Sequence, residues 1–526
     1  MTKFSSKAAG RAAVASPVRS SPGRASTHEG GRGFRRSAKA ELFLLAVSNM
    51  VSEDSFYEGS RERDERFRTL VRAVTLEDPS WVARFVPYLR GVMNMRSAAV
   101  VMAAEYALTL RTAPDPVRAQ APSVRSVISA AMLRADEPVE FIGYWKLRTG
   151  RVTLPGGVQR GVADAVARLF TEYAALKYDG KSRGIRLGDV IELAHPSAQT
   201  PAQGQLYQYL LDRRHHPDEI RADLDQLPMI RANLALDNIP AQQRRSFLGG
   251  ADAPAKLKDA GVTWEELSGW VGGPMDEQTW RAVLPSMGFM ARLRNLRNFD
   301  QAGLSDADVA PVVRMLTSRP SVARSRQLPF RFLAASRAAS ASRWAQPLEQ
   351  ALNLSLANVP ALPGRTLVLV DRSGSMWAPL SQRSDLIRAD AAAIFGTALA
   401  VRAEQADLVQ FGFKSHQVAF TKGRSVLRVL EEFEELGGTY TAEALRKHYA
   451  GHDRVVVVTD EQVAHGQDVD RAVPPHVPMY TWNLAGYRVG HAPSGNANRH
   501  VFGGLSDAAF AMIPLLEVGR SQDWPF

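Results

Sequence analysis

The chain has no cysteine in its 526 residues. That absence excludes disulfides, zinc fingers and thiolate nucleophiles, and it suits a reducing compartment such as the cytoplasm. No run of about 20 apolar residues occurs, so neither a transmembrane helix nor a membrane partner is expected. There is no G-x-x-x-x-G-K-S/T loop, no nucleophile elbow with a Ser-His-Asp order and no paired acid–base dyad. A binding protein is expected, not an enzyme. Aromatic residues make up only 8% of the chain, and the first 38 positions contain just Phe4 and Phe34. Stretches there such as Ser20-Ser-Pro-Gly-Arg24 and Gly30-Gly-Arg-Gly-Phe-Arg-Arg36 offer too little apolar surface to offset the entropy of ordering. Residues 1–38 therefore read as a disordered basic tail without a secretory h-region.

What remains is long enough for two or more cores. Its hydrophobic fraction of 45% and charged fraction of 23% are those of globular domains. The net charge of +11 is uneven: residues 361–526 sum to −2 and residues 1–360 to +13. A polyanion partner for the first part is the simplest inference.

Residues 366–376 read Thr-Leu-Val-Leu-Val-Asp371-Arg-Ser373-Gly-Ser375-Met. Four consecutive aliphatic residues suit a buried strand of a parallel sheet. The turn that follows presents one carboxylate and two hydroxyls where open α/β sheets place ligands. These are hard oxygen donors, suited to Mg2+ or Mn2+. Further on, Gly437-Gly438-Thr439 follows an amphipathic run, Ser425 to Leu436, and opens a helical stretch, Ala442 to Ala450. Then Arg454-Val-Val-Val-Val458-Thr459-Asp460 repeats the plan of a buried strand ending in an acid. The three loops together resemble the von Willebrand factor A domain and its metal-ion-dependent adhesion site. The resemblance covers Leu362 to the end. It implies that Asp371, Ser373, Ser375, Thr439 and Asp460 surround one divalent cation, Mg2+ or Mn2+, which is either structural or leaves a position for a partner's carboxylate.

From Ala40 to Val359 nearly every segment has apolar residues three and four apart, as amphipathic helices do. The longest expected helices run from Val158 to Leu176 and from Trp280 to Arg297. Frequent Pro and Gly between them favour helix pairs with short loops and no fixed repeat length. Three basic stretches stand out. Lys177-Tyr178-Asp-Gly180-Lys181-Ser-Arg183 leads toward Leu193-Ala-His195, Met290 to Asn298 carries Arg292, Arg294 and Arg297, and Arg324 to Phe332 carries three more arginines. Lys and Arg reach phosphates, while Tyr and His stack on unpaired bases.

In order and content, Arg160 to Tyr173, Lys177-Tyr178, Leu193-Ala-His195, Leu293-Arg-Asn-Leu296 and Pro329-Phe330 resemble segments of the TROVE module, named for telomerase-associated, Ro and vault proteins. In Ro proteins a von Willebrand A domain follows that module, as the order of motifs does here. The resemblance implies a multidomain fold: an all-α, irregular HEAT-like ring at residues 39–360, then a doubly wound α/β von Willebrand A domain at residues 361–526. It implies as partners small structured (Y-like) noncoding RNA and misfolded RNA with single-stranded 3′ ends, handled by a monomeric ring. The matching RNA contacts are Lys177, Lys181 or Arg183, and His195, with Arg294 in a family motif. Bacterial members partner exoribonucleases in RNA processing or decay. The alternative is a metal-dependent protein-interaction scaffold built on the von Willebrand A site.

Overall fold

The computed structural model describes residues 15–48, 51–180, 184–356, 359–380, 386–421, 425–495, 498–506, 510–517 and 523–526. The chain divides into two compact units. One gathers the described residues up to Val74, Leu328–Phe330 and those from Ser355 onward; the other comprises Thr75–Gln327 and Arg331–Leu354.

The first unit holds two sheets. The strands, in chain order, are β1 (Ser20–Ser26), β2 (Arg32–Arg36), β3 (Leu362–Asp371), β4 (Ala403–Phe411), β5 (Ser415–Gln417), β6 (Arg454–Thr459), β7 (Met479–Asn483), β8 (Val489–Gly490) and β9 (Arg499–Gly503). The larger sheet has the order β5-β4-β3-β6-β7-β9 and is parallel except for β5. Leu367 to Val370 face Val455 to Val458 across β3 and β6, and all eight residues are sealed from solvent. Burial on both faces is why these strands are continuous rather than alternating apolar runs. The Ala-rich helix Arg388–Arg402 packs on β3 and β4. It comes so close that a Cβ on Gly396 would meet the Val370 side chain at 2.3 Å. The expected run from Ser425 to Leu436 contracts to the short helix Val426–Leu430, and the next helix is Thr441–His448.

The smaller sheet, β1-β2-β8, corrects the expectation of a disordered tail for residues 15–38, while residues 1–14 lie outside the described residues. Residues 15–38 are ordered, and Phe34 and Arg35 of β2 pair with Gly490 and Val489 of β8. The Arg36 side chain is fully buried, donating to Glu461 at 2.7 and 2.8 Å and to the Ala492 carbonyl. The glycines that made this stretch look structureless permit close approach: a Cβ on Gly33 would strike Val489 at 2.2 Å. The helix Ala38–Ser48 packs on β9 and is buried almost all round. Residues 15–74 thus belong with the C-terminal sheet, not with the helices. The charge is redistributed accordingly. The unit with the sheets sums to +4 and the helical unit to +7, so the basic excess is not confined to the helices.

The second unit is all helix among its described residues, from Pro79–Gly91 to Ala345–Ser355. Helices pack on sequence neighbours, as Val124–Ala130 does on Gly156–Leu169 and Leu187–Ala194 on Pro201–His215. Their starts are marked by side-chain caps at Asp78, Thr171, Thr200, Thr263, Asp276, Ser305 and Ser318. Trp81, Trp145 and Trp344 fill the core. Two expected helices are broken. Val158 to Leu176 divides at Phe170, because Thr171 caps a new helix, Glu172–Tyr178, by accepting from the Ala174 amide. Trp280 to Arg297 becomes four short pieces, since Pro285 and Gly288 interrupt it and Asn295 ends a turn. No helix among the described residues is long and apolar enough to cross a membrane.

Candidate functional site

The loops after β3 and β6 converge on two buried acids. Asp371 closes β3, and its Oδ1 accepts from the Ser373 amide at 2.8 Å. Its Oδ2 accepts from Thr459 Oγ1 at 2.5 Å, which ties the ends of β3 and β6 together. The hydroxyls of Ser373 and Ser375 lie 3.4 Å apart. The Gly374 amide donates to the Gly437 carbonyl at 2.8 Å, bringing the Gly437–Thr439 loop alongside. The Ala464 amide in turn donates to the Thr439 carbonyl, which pins that loop to the chain beyond Asp460. All five expected ligand residues are buried.

The electrostatics of this cluster are unusual. Asp371 and Asp460 are fully buried, and among the described residues neither forms an ion pair. Asp460 accepts at Oδ1 from the Gln462 amide, whereas its buried Oδ2 has no partner. Burial, and then the Asp371 charge, push the Asp460 carboxyl up to about 7. Burial likewise raises Asp371, against hydrogen bonds from Thr459 and Ser373. Two neighbouring carboxylates deprived of water call for a cation. An orphaned acid oxygen with serine and threonine hydroxyls nearby is an all-oxygen donor set, and it fits a hard divalent ion.

The helical unit contains a second concave site. A cavity of about 490 Å3 is lined by Arg134, Lys177 and Arg294 together with Tyr173, Tyr178, Trp264 and Phe289. The structure thus brings Lys177 and Arg294 together, although 117 positions separate them. Lys177 Nζ lies 5.4 Å from the Tyr173 ring centre and 5.5 Å from that of Tyr178, and Arg134 lies 5.7 Å from the Tyr178 ring. Burial, and then the Arg294 charge, hold Arg331 below the usual arginine range. Asp179 does not oppose these cations. It is buried and accepts from Arg186 and the Leu187 amide, with Arg213 at 3.5 Å. Asn295 faces inward as a brace, donating to the Ala291 carbonyl at 2.8 Å and accepting from Asn298 at 2.7 Å. Arg292 is likewise committed, to the Leu284 carbonyl. Lys181 and Arg183 lie outside the described residues.

Residues 255–342 match the family model of the TROVE domain. The fold is similar to that of the crystal structure of the Deinococcus radiodurans Ro (RSR) protein, with a TM-score of 0.63 and 18% sequence identity. That likeness covers 92% of this chain and 100% of the other. Residues 255–342 are thus similar to a TROVE domain, and the fold of the chain is like that of the Ro protein structure. No curated protein matches the sequence. The TROVE match includes Trp264, Phe289 and Arg294 of the cavity, while Lys177 and His195 precede it. His195 is exposed at the C-terminal end of the helix Leu187–Ala194 with φ 50°, and it does not line the cavity. Sequence reasoning missed Arg134, Trp264 and Phe289. The available signals were faint: Trp264 directly follows the capping box of Thr263 and Glu266, and Phe289 directly follows Gly288 at a helix start.

Proposed function

We propose that this chain is an RNA-binding protein of Ro type. In this reading it holds small structured, Y-like noncoding RNA and the single-stranded 3′ ends of misfolded RNA, and it acts in RNA quality control or processing. The observation that carries the reading is the cavity of the helical unit, where three cations and four aromatic rings line one concavity. Cations supply most RNA affinity through phosphates, and rings accept unstacked bases whatever their sequence. Lys177 and Arg294 are the proposed contacts in the cavity; Lys181, Arg183 and His195 are proposed contacts from the family pattern. The work proposed for the site is capture rather than catalysis, in the cytoplasm, with an exoribonuclease as a further partner.

We further propose that the α/β unit is a von Willebrand A domain. Asp371, Ser373, Ser375, Thr439 and Asp460 would hold one Mg2+ or Mn2+, whose chemistry when bound is to neutralise the paired acids and to attract a further oxygen ligand. The protein-interaction scaffold draws on the same orphaned Asp460 oxygen. One experiment separates the readings: sequencing of RNA crosslinked to the chain in its own cells. Enrichment of one small structured RNA, or of 3′-tailed RNAs, supports the Ro-type reading. A profile equal to total RNA overturns it and leaves the scaffold, whose protein partners should leave on EDTA treatment.

A further inference from the structure

The turn between β1 and β2 sits on the loop that carries Asp460. Thr27 Oγ1 donates to the Val463 carbonyl at 2.7 Å, and the Gly31 amide donates to the same carbonyl. The His28 amide donates to Gln462 Oε1 at 2.9 Å, and Gln462 is the residue whose own amide holds Asp460. The His28 ring stacks on Tyr57 at 4.8 Å and 2°. Tyr57 also meets the buried Tyr487 edge-on at 5.5 Å. That sandwich aims the Tyr57 hydroxyl at the acid cluster: it lies beside Ser375, within the field of Asp460, and donates to Glu29. Among the described residues Glu29, Asp371 and Asp460 form no ion pair; the Arg372 and Arg388 charges favour ionised Asp371 and Asp460 only through space.

Glu29 is exposed, and Tyr57 links it to Ser375 beside the two buried acids; a third carboxylate there adds repulsion unless a cation pairs with the group. Two acids and three hydroxyls supply five oxygens, whereas an octahedral ion takes six. We infer that Glu29 is the chain's own carboxylate ligand for the outward face of the metal site, steered there by Tyr57. The inference rests on the reading of Asp371 and Asp460 as metal ligands. It makes the full chain self-satisfied. Three carboxylates overcompensate a divalent charge, so a partner's acid has to displace Glu29 instead of filling an open position.

The test is Mn2+ titration of the full chain, followed by electron paramagnetic resonance for affinity and by water-proton relaxation for inner-sphere waters. Glu29→Gln is expected to weaken Mn2+ binding by about 10- to 100-fold and to add one bound water. Tyr57→Phe, which loses only the steering oxygen, is expected to weaken it less. Glu29→Gln with wild-type affinity and hydration overturns the inference, as does a larger loss for Tyr57→Phe than for Glu29→Gln. If wild-type chain and Asp371→Ala both fail to bind Mn2+, the metal reading itself falls. Binding by wild type that Asp371→Ala abolishes keeps that reading whatever Glu29 does.

Discussion

Buried acids occur in both units, but they are treated differently. In the helical unit Asp179 is met by Arg186 and Arg213, Asp212 by Arg221, and Glu137 by Arg90 and Arg96. In the sheet unit Glu461, one residue past Asp460, is met by Arg36. Asp371 and Asp460 have no such partner among the described residues. The contrast separates braces from a site. An acid that the fold neutralises for itself stabilises the fold, whereas an acid left charged in the interior marks where something else must bind.

The largest effect should come from breaking a brace. Asp179→Ala leaves Arg186 buried beside an empty position and should cost the helical unit about 3–5 kcal/mol, read by calorimetric melting of the full chain. Next is the unbraced pair. With EDTA present at pH 8, Asp371→Asn should stabilise the chain by on the order of 1 kcal/mol, because the repulsion it relieves outweighs the one hydrogen bond to a carboxylate oxygen that it gives up. A loss as large as that of Asp179→Ala would abolish the distinction. The same pair predicts a pH dependence. Asp460 is raised from 3.8 to about 7, so the folded metal-free chain holds a proton that the unfolded chain releases. Its stability is therefore greatest below pH 3.8 as far as this group is concerned, and falls as pH rises toward 7. Saturating Mg2+ should flatten or reverse that slope in urea titrations.

Smaller effects test the open site. Lys177→Ala and Arg294→Ala should each reduce the slope of log affinity against log salt by about 0.7 for single-stranded RNA, measured by fluorescence anisotropy. An unchanged slope in the double variant removes the cavity from the RNA path. The smallest change is expected at His195. It is exposed and outside the cavity, so His195→Ala should alter stability by no more than about 0.5 kcal/mol and affect RNA binding less than Lys177→Ala.

How much of this was legible in the sequence follows from how local each feature is. The strand β3 with its turn, and β6 with Thr459 and Asp460, could be read directly, because a run of aliphatic residues ending in small polar ones needs no distant partner to be recognised. Breaks at Phe170 and Pro285 were readable in principle, since Thr171 and Pro285 carry their own start and stop signals. Residues 20–36 were not. Their composition is that of a tail, and their order comes from β8 and Glu461, more than 400 positions away. The cavity was half legible: two basic stretches were visible, but Arg134 and Trp264 had nothing to connect them to Lys177.

The sequence by itself determined the two kinds of architecture, the strand-end acids and the basic helical stretches, because periodicity and turn chemistry act over a few residues. Only the tertiary structure decided that residues 15–74 join the C-terminal sheet, that Asp179 is a brace while Asp460 is not, and that Glu29 accepts from Tyr57. Charge and burial depend on what lies nearby in space, and a carboxylate in a sequence carries no mark of whether an arginine will reach it.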